Sequence, residues 1–142
     1  KCKGEIIKVL YMDDYLMHPN SLQVIVDEFT GSWLATGCLH DDGTGPTNPH
    51  YPTWNSKVRS GFNTIGSPSV IAFVNNDPLL FDEHMSWLLD CDYYHRLYEA
   101  YGPPKIVNDL NVVMDIGEHQ MTNLLTLQEK VEESNYIQQK YS

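Results

Sequence analysis

The spacing of apolar residues along the chain predicts both strands and helices, and the two kinds of element alternate in the sequence. Short runs rich in β-branched residues predict buried strands at residues 5–11, 31–39 and 69–74, and one or two further strands within residues 106–116. Residues 41–53 hold three prolines and two glycines and predict a loop. The strand pattern therefore favours a short mixed sheet.

Apolar residues at helical spacing mark three further segments, at residues 21–29, 84–101 and 122–141. The second ends in Gly102-Pro103-Pro104, a typical helix stop. The third is polar and could pack on the body of the protein, on a second copy or on a partner chain. Together these segments predict an α/β fold in which helices flank the sheet, with a single domain over the 142 residues.

The charge of the chain narrows the classes of partner. Acidic residues outnumber basic ones by 19 to 9, the net charge is −10, and the basic residues form no run. Nucleic acids and anionic membranes require clustered Lys and Arg, so neither is expected as the main partner. No stretch reaches the ~18 to 20 apolar residues of a membrane span. The three cysteines are widely spaced, which favours a reducing compartment such as the cytoplasm over a disulfide framework.

Two adjacent acids, Asp13 and Asp14, follow the first predicted strand. Open α/β sheets bind ligands at strand ends, and carboxylates there can hold Mg²⁺ or Mn²⁺, which prefer oxygen ligands. Asp is equally common in turns and helix caps, so this pair on its own also fits a purely structural role.

A second acidic pair, Asp90 and Asp92, lies within the predicted helix at residues 84–101. Arg96 follows Asp92 by four residues, a spacing at which the two side chains can form an ion pair. Asp90 then points elsewhere on the helix and is available as a general base. The alternative is a purely structural one, in which the helix is solvated and carries one ion pair.

Two weaker features are His119 and the loop that precedes the third strand. A lone His is more often structural than a ligand, and His119 gains interest only if it approaches the acid pair at Asp13. In the loop, Gly and Pro constrain the backbone while polar side chains could line a pocket. The loop residues concerned are Asn63, Gly66, Ser67, Pro68 and Ser69.

In this order, the segments resemble family 2 glycosyltransferases of the GT-A type. That family carries a strand ending in an acidic D-x-D motif, and Asp13-Asp14 stands at the corresponding place. One branch has N-x-I-G-S-P-S-x-x-x-F, matched at residues 63–73, and F-D-E-x-x-x-W-L-x-D-x-D-Y-Y-x-R-L, matched at residues 81–97. The branch closes on I-G-E-H, matched at residues 116–119.

The resemblance implies an inverting, divalent-metal-dependent transfer of sugar from a nucleotide-sugar donor to a glycan or another hydroxyl acceptor. It implies Mn²⁺ or Mg²⁺ at Asp13, with Asp14 and His119 nearby, although Tyr11 replaces the first acid of the motif. It assigns the catalytic base to Asp90, with Asp92 as the alternative. We therefore expect Asp13, Asp90 and His119 to meet in one cleft. The acceptor side would be shaped by the 63–69 loop and by Trp54, Trp87 and Arg96.

Only twelve residues precede Asp13, whereas the nucleotide-binding half of the family precedes the D-x-D strand. The resemblance therefore implies the acceptor-side half of a GT-A fold. The nucleotide pocket would belong to another chain or another part of the protein, or would have been lost. In the last case the chain would be a catalytically inactive module that binds a glycan or helps an assembly form.

Overall fold

A computed structural model describes residues 2–142, which form one mixed sheet of six strands with helices on both faces. The strands run in the order β1–β5–β3–β6–β2, and β4 pairs with β3. The strands are β1 Ile6–Lys8, β2 Tyr15–Leu16, β3 Trp33–Asp41, β4 Pro46–His50, β5 Ile71–Val74 and β6 Lys105–Asp115. The helices are α1 Ser21–Glu28, α2 Leu89–Tyr101, α3 Met121–Leu124 and α4 Leu127–Lys140. The predicted α/β class is confirmed.

The centre of the sheet is β3, which runs parallel to β6 and antiparallel to β5 and β4. One edge of β3 is shared, because β5 pairs with its first half and β4 with its second half. Gly37 lies where β6 bulges, and an added Cβ would come within 3.0 Å of the Asp109 carbonyl oxygen. The parallel pair ends with Asp41 opposite Asp115, so both strands carry an acid at their carboxyl ends.

Alternate residues of β3 enter two cores on opposite faces of the sheet. Trp33 and Ala35 belong to the larger core, which includes α2 and Ile137 of α4. Leu34 belongs to the smaller core beneath α1. The C-terminal helix α4 therefore packs on the protein's own body, one of the alternatives that its polar sequence left open. Within residues 2–142, no helix has the length and apolar character needed to cross a membrane.

Several predicted strand and loop boundaries are wrong. The first strand ends at Lys8 rather than residue 11, because a 3-10 turn at Pro68–Val70 replaces its partner strand β5 there. The loop predicted at residues 41–53 contains β4, an edge strand that tolerates its two prolines. The segment at residues 106–116 forms one strand rather than two.

Two predicted helices are also shorter than expected. α2 begins at Leu89 rather than residue 84, and the backbone N–H groups of residues 86–88, which precede it, bond to Glu133. The helix predicted at residues 122–141 is broken after Leu124. There Thr126 and Glu129 form a capping box that starts α4 anew.

Candidate active site

A cavity of about 280 Å³ opens at the end of the sheet, between the β1–β2 connection, the start of α2 and the segment after β6. Its apolar wall consists of Tyr11, Met12, Trp87, Leu89, Met114 and Met121. Its polar lining includes Asp14, Ser67, Ser86, Asp90, Asp115 and His119. The cavity thus joins segments that are more than 100 residues apart in the sequence, and each of them carries an acidic side chain.

A group of side chains that could bind a metal ion lies beside the cavity; Asp115 and His119 line the cavity, whereas Asp13 is not among its described lining residues. Asp13, Asp115 and His119 each offer a ligand atom, and these atoms all lie within 4.8 Å of one another. We name them the Asp–Asp–His cluster. His119 Nε2 is 2.8 Å from Asp115 Oδ2. Asp13 has a positive φ of 75°, an uncommon backbone conformation that occurs disproportionately at functional sites.

Asp14 holds this part of the site together rather than joining the cluster. Its Oδ1 accepts a hydrogen bond from the Asp115 backbone N–H at 3.0 Å, and its Oδ2 accepts one from Ser69 Oγ at 2.5 Å. Burial raises the pKa of Asp14, and the two hydrogen bonds partly offset that effect. Asp14 therefore fixes the end of β6, from which Asp115 reaches the cluster.

Asp90 also lines the cavity, from the first turn of α2. Its Oδ2 accepts a hydrogen bond from Asn63 Nδ2 at 2.8 Å, and its Oδ1 accepts one from the Cys91 backbone N–H at 2.7 Å. Burial is the main cause that raises the pKa of Asp90 from 3.8 to about 6. A carboxylate with such a pKa accepts a proton more readily than an ordinary Asp does.

The loop at residues 63–69 connects the two sides of the cavity. Asn63 Oδ1 accepts hydrogen bonds from the backbone N–H groups of Ile65 and Gly66, at 2.9 and 3.0 Å, while its amide holds Asp90. At the other end, Ser69 Oγ donates to Asp14. Ser67 and Pro68 line the cavity between these two contacts. One short loop thereby orients an acid on each side.

The side chain of Asp92 lies in a different environment from that of Asp90. Its side chain is fully buried, 2.7 Å from Arg96 Nη2 and 2.7 Å from Lys140 Nζ. The predicted ion pair between Asp92 and Arg96 is therefore confirmed. In the described chain, neither residue is among those that line the cavity. These contacts place Asp92 in a structural network rather than near the proposed chemistry.

The two tryptophans predicted for the acceptor side lie in different places. Trp87 lines the cavity, and Lys130 Nζ lies 5.6 Å from the centre of its ring. Trp54 stacks on Tyr98 with ring centres 4.7 Å apart and meets Trp33 edge-on. Trp54 therefore packs in the core region, and the geometry supports only Trp87 as a cavity residue.

The sequence analysis missed Asp115 as a member of the cluster. Asp115 precedes His119 by four residues and ends a strand, so the D-x-x-x-H spacing could have identified it. Glu133 was also missed, and no local pattern marks it, because its contacts are with residues 86–88.

The described lining of the cavity contains three carboxylates but no Lys or Arg. An anionic ligand would therefore meet repulsion unless a bound cation offset it. The arrangement offers candidate ligand atoms for a divalent cation at Asp13, Asp115 and His119, and a proton acceptor at Asp90. No model of a protein family matches this sequence, and no curated protein matches it either.

Proposed function

We propose that the cavity is the active site of an inverting glycosyltransferase, which moves a sugar from a nucleotide-sugar donor to a hydroxyl acceptor. The observation that carries the proposal is the placement of two chemically different acidic groups around one cavity. The Asp–Asp–His cluster could hold a cation, whereas Asp90 stands apart from it with a raised pKa. The sequence resemblance to family 2 glycosyltransferases supports the same assignment.

The cluster fits a divalent cation in its donor set. Two carboxylates and one imidazole suit Mn²⁺, whereas Mg²⁺ prefers oxygen ligands alone and retains several waters. Asp13, Asp115 and His119 would hold the ion. When bound, it would supply positive charge against the diphosphate of the donor. That charge matters here because the lining offers three carboxylates and no Lys or Arg.

Asp90 would act as the general base for the acceptor. Its carboxylate takes the proton of the acceptor hydroxyl while the hydroxyl oxygen forms a bond to the anomeric carbon of the sugar. The bond from that carbon to the donor diphosphate breaks, and its electron pair leaves with the nucleoside diphosphate. With a pKa of about 6, Asp90 is mostly ionised at neutral pH and can accept the proton.

The apolar wall offers a surface for the ring of a sugar. Trp87 and Tyr11 present aromatic groups to the cavity, and Ser67 and Ser86 offer hydroxyl groups beside them. Sites for small molecules commonly combine an apolar lining with a few polar groups that fix orientation. A glycan or another polyol acceptor fits this combination.

Metal binding and turnover test the proposal separately. We expect calorimetry to detect Mn²⁺ binding by the protein, and Asp115→Asn to weaken it at least about tenfold through loss of one charged ligand. Asp27→Asn, which removes an exposed acid from α1, is the matched control. Release of nucleoside diphosphate from a panel of uridine- and guanosine-diphosphate sugars, with an acceptor glycan, should require Mn²⁺. Absence of both Mn²⁺ binding and release would overturn the proposal.

A second candidate is an inactive module that binds a glycan or supports an assembly. The observation in its favour is Tyr11, which lines the cavity where the family motif has its first acid. Glycan binding without any release of nucleoside diphosphate would favour this candidate. In either case we propose a reducing compartment such as the cytoplasm, since the cysteines are free and Cys38 and Cys91 are buried.

A further inference from the structure

The start of α2 has an unusual cap. The N-cap residue Leu88 makes no side-chain cap hydrogen bond, yet the backbone N–H groups just before the helix are not left without partners. Three consecutive N–H groups, those of Ser86, Trp87 and Leu88, converge on the carboxylate of Glu133 in α4. We name these three groups the amide nest. The donor–acceptor distances are 2.7 Å from Ser86, 2.9 Å from Trp87 and 2.9 Å from Leu88.

A carboxylate is well suited to this position. Hydrogen bonds to a charged acceptor are roughly twice as strong as neutral ones, and a negative charge at a helix N-terminus is favoured by the helix dipole. The cap is supplied from 45 to 47 residues away along the chain. It therefore fixes the position of one helix relative to another rather than only closing a helix end.

The amide nest adjoins the cavity directly. Ser86 and Trp87 line it, and Asp90 follows Leu88 by two residues. A second residue of α4 acts on the same wall, because Lys130 lies over the ring of Trp87 at 5.6 Å. Glu133 thus binds the backbone of this wall, while Lys130 lies over its aromatic side chain.

We propose that Glu133 is a positioning residue, which sets the location of Asp90 and Trp87 in the cavity through the amide nest. Helix α4 is then a part of the active site although it contributes no group to the reacting atoms. The catalytic assignment of Asp90 rests on the proposed function, whereas the positioning of the segment does not.

A structural test needs no substrate. In Glu133→Gln, we expect the amide proton resonances of residues 86–88 to move upfield and their hydrogen exchange to accelerate at least about tenfold, since the charged acceptor is lost. Glu132→Gln is the matched control: it removes the same charge one residue earlier, where the carboxylate accepts a hydrogen bond from Gln128. Lys140→Gln loosens the far end of α4 and should lower the melting temperature without moving these resonances.

A second readout follows Asp90 itself. The titratable groups around it are Tyr11 on the β1–β2 connection, Cys91 and Tyr94 on α2, and Asp14, Asp115 and His119 across the cavity. These groups are unchanged in Glu133→Gln. We expect the midpoint of the Asp90 carboxyl-carbon titration to fall below its wild-type value, because a loosened segment lets water reach the carboxylate.

In a sugar-transfer assay, Glu133→Gln should lower kcat at least about tenfold while the Kd for Mn²⁺ stays the same, because misplacement of the base affects the chemical step. Unchanged amide resonances, or an unchanged Asp90 midpoint, would overturn the positioning role. Unchanged kcat would reduce Glu133 to a helix cap and overturn it as well. If the wild-type protein transfers no sugar at all, the proposed function fails, and the two resonance measurements alone decide the role of Glu133.

Discussion

The acidic side chains in two regions of this protein have different charged surroundings. Near the C-terminal end of α4, two acids have basic partners: Asp82 and Asp92 share Lys140, and Asp92 also pairs with Arg96. Lys140 holds the pKa of Asp82 well below its usual range. Around the cavity, by contrast, the described lining has three carboxylates and neither Lys nor Arg.

The contrast separates structural acids from candidates for chemistry. A buried acid that is paired within the protein has no further need of a cation or a proton. The cavity acids have other partners: Asp115 pairs with the exposed ring of His119, and Asp90 accepts hydrogen bonds from Asn63 and a backbone N–H group. A bound ion or protonation could reduce their negative charge, and both outcomes are useful to an enzyme. Asp90 and Asp92 stand two residues apart on one helix, and their different partners are the reason that we propose different roles for them.

Removal of a charge from the α2–α4 interface should have the largest effect on stability. Asp92→Asn leaves Arg96 and Lys140 without their fully buried partner, and we expect a loss of about 3 kcal/mol in the free energy of unfolding. Urea denaturation measures it. Glu99→Gln, on the exposed side of the same helix, should change stability by less than about 0.5 kcal/mol. A loss below about 1 kcal/mol for Asp92→Asn would show that the network contributes little.

The same substitution at Asp90 should have the opposite sign. Asp90 has a folded pKa of about 6 against 3.8 for an ordinary Asp, so its ionisation works against folding. Relative to Asp90→Asn, the wild-type protein should lose about 2 kcal/mol of stability as the pH rises from about 4 to beyond 6, because the other titrating groups are the same in both proteins. Asp90→Asn is then more stable than wild type at pH 8 and about equal at pH 4.

Activity provides the other half of that comparison. Asp90→Asn should lower sugar transfer about 10²-fold at pH 7.5 through loss of the general base. Donor and Mn²⁺ binding, measured separately, should stay unchanged. A variant that gains stability and loses activity is expected where an acid is kept underpaired for function. Equal stability of the two proteins at pH 4 and pH 8 would contradict the raised pKa of Asp90.

Local sequence patterns were sufficient for the parts of this comparison that depend on near neighbours. The four-residue spacing of Asp92 and Arg96 predicted their ion pair, and the apolar runs predicted β3 and β5 to within a few residues. The resemblance brought Asp13, Asp90 and His119 together as candidates. Of these, Asp90 and His119 line one cavity, and Asp13 lies beside His119.

Contacts between distant segments could not be predicted in the same way. Apolar spacing continued through residues 84–88, so α2 was expected to start early, but Glu133 holds that backbone in a bend. Lys140 binds Asp92 from 48 residues away, and nothing near either residue indicates it. Such contacts depend on how α4 docks, which follows from the burial of Ile137 in the core rather than from a local pattern.

The smallest expected effect concerns the glycine that lets His119 reach the cluster. A Cβ added to Gly117 would lie 2.9 Å from both Cε1 and Nδ1 of the His119 ring, closer than real Cβ atoms approach other atoms. The ring is 56% exposed and can turn away, so Gly117→Ala should change the free energy of unfolding by less than about 0.5 kcal/mol. The ring would then leave Asp13 and Asp115, and we expect Mn²⁺ affinity to fall about tenfold, equivalent to ~1.4 kcal/mol.

Gly4→Ala is the matched control, since its nearest neighbour, the Ile6 carbonyl oxygen, would be 3.7 Å from the new Cβ. Calorimetric titration with Mn²⁺ distinguishes the two variants. Unchanged affinity in Gly117→Ala would remove His119 from the metal-binding group and leave the two carboxylates as its only members among the described residues.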